Sequence, residues 1–236
     1  MKIVVIIPAY NAETTLESVF ERIPKGAFKR IKRFIIVNDG SKDKTKLIVK
    51  KLMKRYPITL INHTNNRGYG GAQKTAYDEA KRIGADITVM LHADGQYAPE
   101  LLLSMIEPIE KGKCDVVGGS RILGGEALSG GMPIMRYIGN RFLTWLENLV
   151  FRMRITEFHS GYKAYSRHAL ELIPYRKYSN TFYFDSEMLI GAKRNYLKIV
   201  EIPIPTRHAG EKSYLNPIKY GLGVLKVIFR YLKGEI

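Results

Sequence analysis

The apolar run at 87–91 stops at His92 and is followed by Ala93, Asp94, Gly95 and Gln96. A histidine, a carboxylate and an amide set between very small residues suit a turn, and they equally suit a cation. Asp94 and the side-chain oxygen of Gln96 alternate across Gly95, so in an extended turn both point to one side, as oxygen ligands of a hard divalent ion do. His92 can also bind Mn2+, although it adds no negative charge. Other stretches carry chemistry too. Asp39 in NDGSKD can accept from a base N–H or simply cap a turn. Gly68, Gly70 and Gly71 precede a helix and could bring backbone amides to a phosphate. Arg121, Arg136 and Arg207 are candidate anion-binding guanidiniums, or solvated charges. Glu157, Asp185 and Glu187 are the carboxylates that a hydroxyl substrate would need as a base.

The elements that must position these groups are legible as a pattern. Apolar runs at 3–7, 34–37, 58–62, 87–91 and 115–119 read as buried strands, each ending in polar or glycine-rich sequence. Helical spacing covers 11–23, 43–56 and 71–83 between them. Strands alternating with helices predict an α/β fold, a mostly parallel sheet with helices on both faces. In such sheets ligands bind beyond the carboxyl ends of the strands. The first four exits, PAYNAE, NDGSKD, NHTNNRGYGG and HADGQY, would all lie on that side. The second half adds a Gly-rich loop at 122–133, a long helical pattern at 134–155, a strand-like segment within 157–166, a helix with an acidic first turn at 182–194 and an extended piece at 199–213.

Composition narrows the partners. The 236 residues are 45% hydrophobic and 25% charged, which permits a sizeable core. Thirty-eight Lys and Arg against 22 Asp and Glu leave +16, a balance that favours an anionic partner. No nucleic-acid motif accompanies that charge, so a nucleic-acid partner is not expected. Cys114 is the single cysteine, which excludes an intrachain disulfide and fits a reducing, cytoplasmic setting. The N-terminal run is cut by Pro8 and reads as a strand, not a signal sequence, and no stretch reaches the roughly 18 apolar residues of a membrane span.

PAYNAE, VNDGSKD, NRGYGGAQKTAYDEA, HADGQYAPE, DVVGGSR, HSGYKAYS, FDSEML and EIPIPTRHAGEKS occur in that order. Together they resemble a family-2 glycosyltransferase of the GT-A (Rossmann-like) fold, nearer to the polyprenyl-phosphate sugar synthases of the dolichol-phosphate mannose synthase type. The resemblance implies an inverting transfer of a hexose from a UDP- or GDP-sugar, with Mg2+ or Mn2+ held at Asp94, Gln96 and His92. The family's usual first Asp is His92 here. It also implies donor contacts at Pro8, Ala9, Tyr10, Glu13, Asn38, Asp39, Gly71, Lys74, His92 and Ala93. Arg121, Arg136, Arg207 and Lys212 would meet the phosphoryl groups of donor and acceptor, and Asp94, Arg121, Arg207, Asp185 and Glu157 would serve the reaction. A phosphate acceptor is already an anion and needs little base help. A saccharide or other soluble acceptor stays open, as does a non-catalytic sugar-nucleotide binder. The chain is expected to be one domain: a nucleotide-sugar half at 1–120, an acceptor half at 121–213 and a C-terminal helix at 214–236. His159 reads as a loop histidine satisfied by backbone.

In the last segment Lys219, Lys226, Arg230 and Lys233 are spaced 7, 4 and 3 apart and form one helical stripe, with Ile218, Leu222, Leu225, Ile228, Phe229 and Leu232 over much of the rest. A basic amphipathic helix can lie in a membrane interface, which predicts peripheral docking on the cytoplasmic face. Packing on the body or on a second subunit is the alternative, and the oligomeric state is not legible.

Overall fold

The computed structural model describes residues 1–206 and 217–236. Arg207 and Lys212 lie outside the described residues, and so does the side chain of Lys219. A seven-stranded sheet runs through the molecule: β1 (Ile3–Ala9), β2 (Ile31–Asp39), β3 (Ile58–His63), β4 (Ile87–Met90), β5 (Val116–Ser120), β6 (Lys163–Ser166) and β7 (Ile199–Pro203), in the order β3-β2-β1-β4-β6-β5-β7. The predicted α/β, mostly parallel sheet is present. The departure is β6, which pairs antiparallel with both β4 and β5.

That reversal positions the site. A parallel strand leaves the sheet at its carboxyl tip, whereas an antiparallel neighbour enters there. Lys163 pairs with Met90 and with Gly118, so the segment just before it, 157–162, lies beside the tips of β4 and β5. The tips of β1, β2 and β4 are joined on the same side. Asn11 and Glu13 bond across to the loop after β2, through Asn11 N–H to Ser41 Oγ (3.0 Å) and Lys44 N–H to Glu13 Oε2 (2.8 Å).

The strands are buried on both faces, with Ile3, Val5, Ile7, Ile36 and Val89 in one core layer and Val4, Ile6, Ile35, Val37 and Met90 in the other. Helices cover both: α1 (Leu16–Glu21), α2 (Lys25–Arg30), α3 (Thr45–Leu52), α4 (Tyr69–Arg82), α5 (Leu102–Glu110), α6 (Ile134–Phe151), α7 (Arg167–Leu172), α8 (Phe184–Arg194) and α9 (Pro217–Leu232). The pattern at 11–23 contains only the short α1, because the first residues cross to the β2 loop, and Pro24 then starts a separate helix.

Helix α9 is fastened to the body. Arg230 pairs with the buried Glu187 at 2.6 Å, and Gly223 allows α9 to approach Tyr183, whose ring would lie 2.5 Å from any added Cβ. Arg230 therefore leaves the outward basic stripe expected for this helix; Lys226 and Lys233 remain exposed.

Candidate functional site

The β4 exit is shaped by its own short-range bonds. Gln96 N–H donates to Asp94 Oδ1 at 3.0 Å, Thr15 Oγ1 donates to Ala93 O at 2.7 Å, and Arg22 Nη1 donates to Gly95 O at 2.9 Å. Gly95 takes a positive φ of 74°, a conformation glycine adopts without strain. The result is a half-exposed Asp94 whose Oδ2 lies 3.9 Å from His92 Nδ1. Burial raises the Asp94 carboxyl pKa, but His92, when it carries a proton on Nδ1, and the Gln96 backbone N–H outweigh it, and the net shift is downward. Asp94 is thus an anion at neutral pH.

His92 is held from behind. Tyr69 Oη lies 3.0 Å from His92 Nε2 and donates its own proton to Asp185 Oδ2 at 2.8 Å. With the tyrosine proton committed to Asp185, His92 must donate from Nε2, so a neutral ring leaves its Nδ1 lone pair facing Asp94. A metal-binding imidazole has this arrangement, its far N–H fixed by a partner behind it. Asp94 and His92 Nδ1 therefore fit a hard-to-borderline divalent cation that keeps water or substrate oxygens in its remaining positions; Gln96 is tied to this corner through its backbone N–H. No group of three His, Cys, Asp or Glu side chains suited to a metal occurs among the described residues, so such a cation would draw ligands from its substrate.

Gly161 closes the floor of this corner. A Cβ there would lie 2.4 Å from His92 Nε2 and 2.5 Å from Tyr69 Oη, and its N–H donates to Tyr97 Oη at 2.8 Å. Tyr97 stands between His92 and the Arg121 charge. Its ring meets His92 edge-on at 4.6 Å, and Arg121 lies 6.0 Å over it.

Arg121 follows β5 and is nearly buried. Its Nε donates to Glu157 Oε1 at 2.9 Å, its Nη2 also bonds that oxygen, and its backbone N–H reaches Glu157 Oε2 at 2.7 Å. Asn140 of α6 adds a further donor at 2.8 Å. Glu157 is only 2% exposed. Burial raises its pKa, the Arg121 charge and these bonds lower it, and the lowering prevails. The expectation of Glu157 as a base is corrected here: its oxygens are filled and it fixes the Arg121 guanidinium. Arg136 of α6 is close enough to feel that guanidinium. Its pKa is lowered, first by burial and then by Arg121, and it has no ion pair among the described residues.

Several other expected contacts are placed differently. Asp39 is buried and accepts from His63 Nδ1 (2.6 Å), Arg67 N–H (2.9 Å) and Gly68 N–H (3.0 Å), so its carboxylate organises the β3–α4 loop instead of standing open. Gly70 N–H bonds Asn180 O at 3.0 Å, and a Cβ on Gly71 would press Arg67 at 2.9 Å. These glycines seat α4 against 178–184, and the expected phosphate cradle is not formed there. Lys74 likewise bonds Tyr178 O and Asn180 Oδ1, away from the β4 exit. Asn38 bridges to Asn62 Oδ1 at 3.0 Å, and Glu13 is engaged with Lys44. Pro8 and Ala9 form the β1 tip, followed by the partly exposed Tyr10. Asp185 is buried and bonded to Tyr69 and Gln73. Glu187 is fully buried on Arg230, which removes it as a base. His159 is not a backbone-satisfied loop histidine: its Nδ1 lies 2.8 Å from Tyr220 Oη and its Nε2 lies 3.2 Å from Glu147 Oε2. Tyr69, Tyr97, Tyr220, Asn140 and Glu147 were not singled out from the sequence. Asn140, Thr144, Glu147 and Phe151 recur at helical spacing on one face, a signal that could have found the α6 pair.

A parallel sheet whose tips carry a cation-type pair beside a fixed arginine is the architecture of a GT-A glycosyltransferase, and the Glycosyl transferase family 2 model matches residues 4–173. The chain belongs to that family. It is 35% identical, over 98% of its length and 94% of the relative's, to the UDP-N-acetylglucosamine--dolichyl-phosphate N-acetylglucosaminyltransferase of Methanococcus voltae. It is 28% identical to the dolichol-phosphate mannosyltransferase of Pyrococcus furiosus, over 100% of this chain and 65% of that one. Among solved structures, glucosyl-3-phosphoglycerate synthase from Mycobacterium tuberculosis, in complex with Mn2+, UDP and phosphoglyceric acid, superimposes with a TM-score of 0.70 at 18% identity, covering 98% of this chain and 78% of that one.

Proposed function

We propose that this glycosyltransferase moves a hexose, with inversion, from a UDP- or GDP-sugar to a polyprenyl (dolichyl) phosphate. The observation that carries the reading is Arg121, one aromatic ring from His92 across Tyr97, with the half-buried Arg136 near enough to act on it. Glu157 compensates one of these two guanidiniums, so Arg136 beside the Arg121–Glu157 pair leaves a net positive charge that suits an anion. The M. voltae relative, named for a UDP-sugar donor and a dolichyl-phosphate acceptor, supports the same assignment.

Asp94, with His92 Nδ1 beside it and Gln96 read as a further ligand, would hold Mg2+ or Mn2+, which when bound neutralises the nucleoside diphosphate leaving group. Asp94 stands at the β4 tip and Tyr10 at the tip of its neighbour β1, so the donor is read as lying across these tips with its base toward Pro8, Ala9 and Tyr10. Arg121 and Arg136 fix the acceptor phosphate. One phosphate oxygen attacks the anomeric carbon as the bond to the diphosphate breaks, and no proton need be removed. Holding both partners in line is the chain's main contribution. Arg207 and Lys212 are read as further phosphate contacts, and Asp185 as the anchor of Tyr69.

The lipid is accounted for by an apolar surface. Helix α6 exposes Ile134, Ile138, Phe142, Trp145 and Leu149, and α9, which packs against it, exposes Leu222, Leu225, Phe229 and Leu232. Arg141, Arg152, Arg154, Lys226 and Lys233 are exposed around them. Burying one such large apolar side chain stabilises by about 1.5–3 kcal/mol. Each cation near an anionic surface adds about 1 kcal/mol. No helix among the described residues is long and apolar enough to cross a membrane, so this surface is read as lying on the interface. A second copy of the chain covering it would appear as a dimer in solution without vesicles.

The test is transfer of radiolabelled sugar from UDP- and GDP-sugars into dolichyl phosphate with Mn2+. Label is expected in the organic phase with at least one donor, and is expected to disappear with EDTA and in Asp94→Ala. Lipid labelling that survives both would remove the cation from the account.

A further inference from the structure

Helix α6 buries a carboxylate that the transfer reaction does not use. Glu147 is 0% exposed, and among the described residues neither of its oxygens completes a well-formed hydrogen bond; the same holds for His159 Nε2, 3.2 Å from Glu147 Oε2. On its other side, His159 Nδ1 lies 2.8 Å from Tyr220 Oη of α9. The His159 carbonyl meanwhile accepts from Arg121 Nη2 at 3.3 Å. Tyr220 is in turn near enough to Arg121 and Arg136 to act on both charges. A line of polar groups thus runs from inside α6 to the anion-binding arginines.

We propose that Tyr220 is a hydrogen-bond donor to the acceptor phosphate, aimed by a buried Glu147–His159 relay. The inference rests on the acceptor reading above and deepens it. The proton arithmetic is determinate. If the Tyr220 O–H is to point at an anion, its oxygen accepts from His159 Nδ1–H. A neutral His159 then offers an acceptor at Nε2, and the donor facing it must be Glu147 as a carboxylic acid. Burial favours this state at both ends: it raises the Glu147 pKa to about 8 and depresses His159 to about 3. The groups facing the pair are Lys163 of β6, Ser186 of α8, Tyr220 of α9, and the more distant Asp185, Glu157 and Arg121. Of these, Lys163 and Ser186 lower the Glu147 value without reversing the shift.

Above pH 8 the relay inverts. Once Glu147 has lost its proton to solvent, the neutral ring holds its one proton at Nε2 and donates it in a hydrogen bond to the carboxylate, the bare Nδ1 accepts a hydrogen bond from the Tyr220 O–H, and the phenol presents its lone pairs to the phosphate. Because Tyr220 lies on α9, the acceptor site is complete only when that helix is seated on the body, which ties phosphate recognition to the helix that also carries the exposed apolar face.

The experiment is calorimetric binding of a short, water-soluble polyprenyl phosphate to wild type, Tyr220→Phe and Glu147→Gln at pH 7 and pH 9, with nucleotide-sugar KM measured alongside. Tyr220→Phe is expected to weaken phosphate binding about tenfold with donor KM unchanged. Wild type is expected to lose a similar factor from pH 7 to pH 9. Glu147→Gln, whose amide can donate to Nε2 at either pH, should keep its affinity at pH 9. Equal binding by wild type and Tyr220→Phe would overturn the proposal, as would an identical pH loss in Glu147→Gln. A wild-type chain that transfers sugar to a hydroxyl acceptor yet binds no phosphate monoester would overturn the acceptor reading itself, and this one with it.

Discussion

Helix α4 buries Ala72, Ala76, Tyr77 and Ala80 and turns Lys81 and Arg82 to water. Helix α6 does the reverse, burying Asn140, Thr144 and Glu147 while Phe142, Trp145 and Leu149 stand outside, Trp145 at 60% exposure. Apart from the buried Gln73, helix α4 therefore follows the usual rule of an amphipathic helix, apolar in and charged out. Helix α6 uses Asn140 on its inner face to hold Glu157 against Arg121, and leaves the large apolar side chains of its outer face exposed. Exposed apolar residues in a contiguous patch mark an interaction surface. Under the function proposed above, one helix serves two partners, an anion on its inner side and an apolar phase on its outer side.

The largest effect belongs to the donor side. Asp94→Ala is expected to lower the transfer rate by about 10²–10³, the size seen when one charge-stabilising group is removed from an active site, with an unchanged thermal midpoint because Asp94 is half-exposed. Glu157→Gln acts on the acceptor side and should behave differently. It leaves Arg121 buried without its counter-charge, a loss of about 3–5 kcal/mol. The thermal midpoint should fall by roughly 10 °C and acceptor affinity should fall with it. An unchanged midpoint would show that Glu157 is not the anchor described here.

The outer face gives a smaller effect. Trp145→Ser together with Phe229→Ser should weaken binding to anionic vesicles at least tenfold while leaving the thermal midpoint within a few degrees, since both side chains are mostly exposed. A loss of a dimer in place of a loss of vesicle binding would assign the face to a second copy. Stability against pH then probes the inner face. Folded Glu147 ionises near pH 8 and an ordinary glutamate near 4.5, so the folded state binds the extra proton between these values and stability falls as pH rises through that window. Glu147→Gln lacks this term. Its midpoint should gain on wild type by about 3 °C per pH unit from pH 5 to 8. The smallest effect is expected for Lys226→Gln, about fivefold in vesicle affinity and lost at high salt.

Much of this was legible in residue order. Five apolar runs became five strands near their expected positions, because strands buried on both faces must be continuously apolar. The polar exits of β1, β2 and β4 were recognisable because tips of parallel strands face one side. What could not be read was direction. A four-residue strand such as β6 carries no mark of running antiparallel, yet that reversal brings Glu157, His159 and Gly161 to the site. Side-chain allegiance was equally hidden. Asp39, Lys74 and Glu157 have the chemistry of ligand contacts, and only the packed structure shows their bonds turned toward a loop, a carbonyl and an arginine. Arg230 was grouped with exposed lysines by spacing alone, and its partner Glu187 lies 43 residues away.

The central claim is that the arginine pair receives a phosphate and not a hydroxyl. The most direct measurement offers wild-type protein equal amounts of a polyprenyl phosphate and the matching polyprenol, with a radiolabelled nucleotide sugar and Mn2+, and separates the lipid products. The account predicts label on the phosphate alone, sharply reduced in Arg121→Ala. Label on the alcohol, or transfer to the phosphate undiminished in Arg121→Ala, would contradict it.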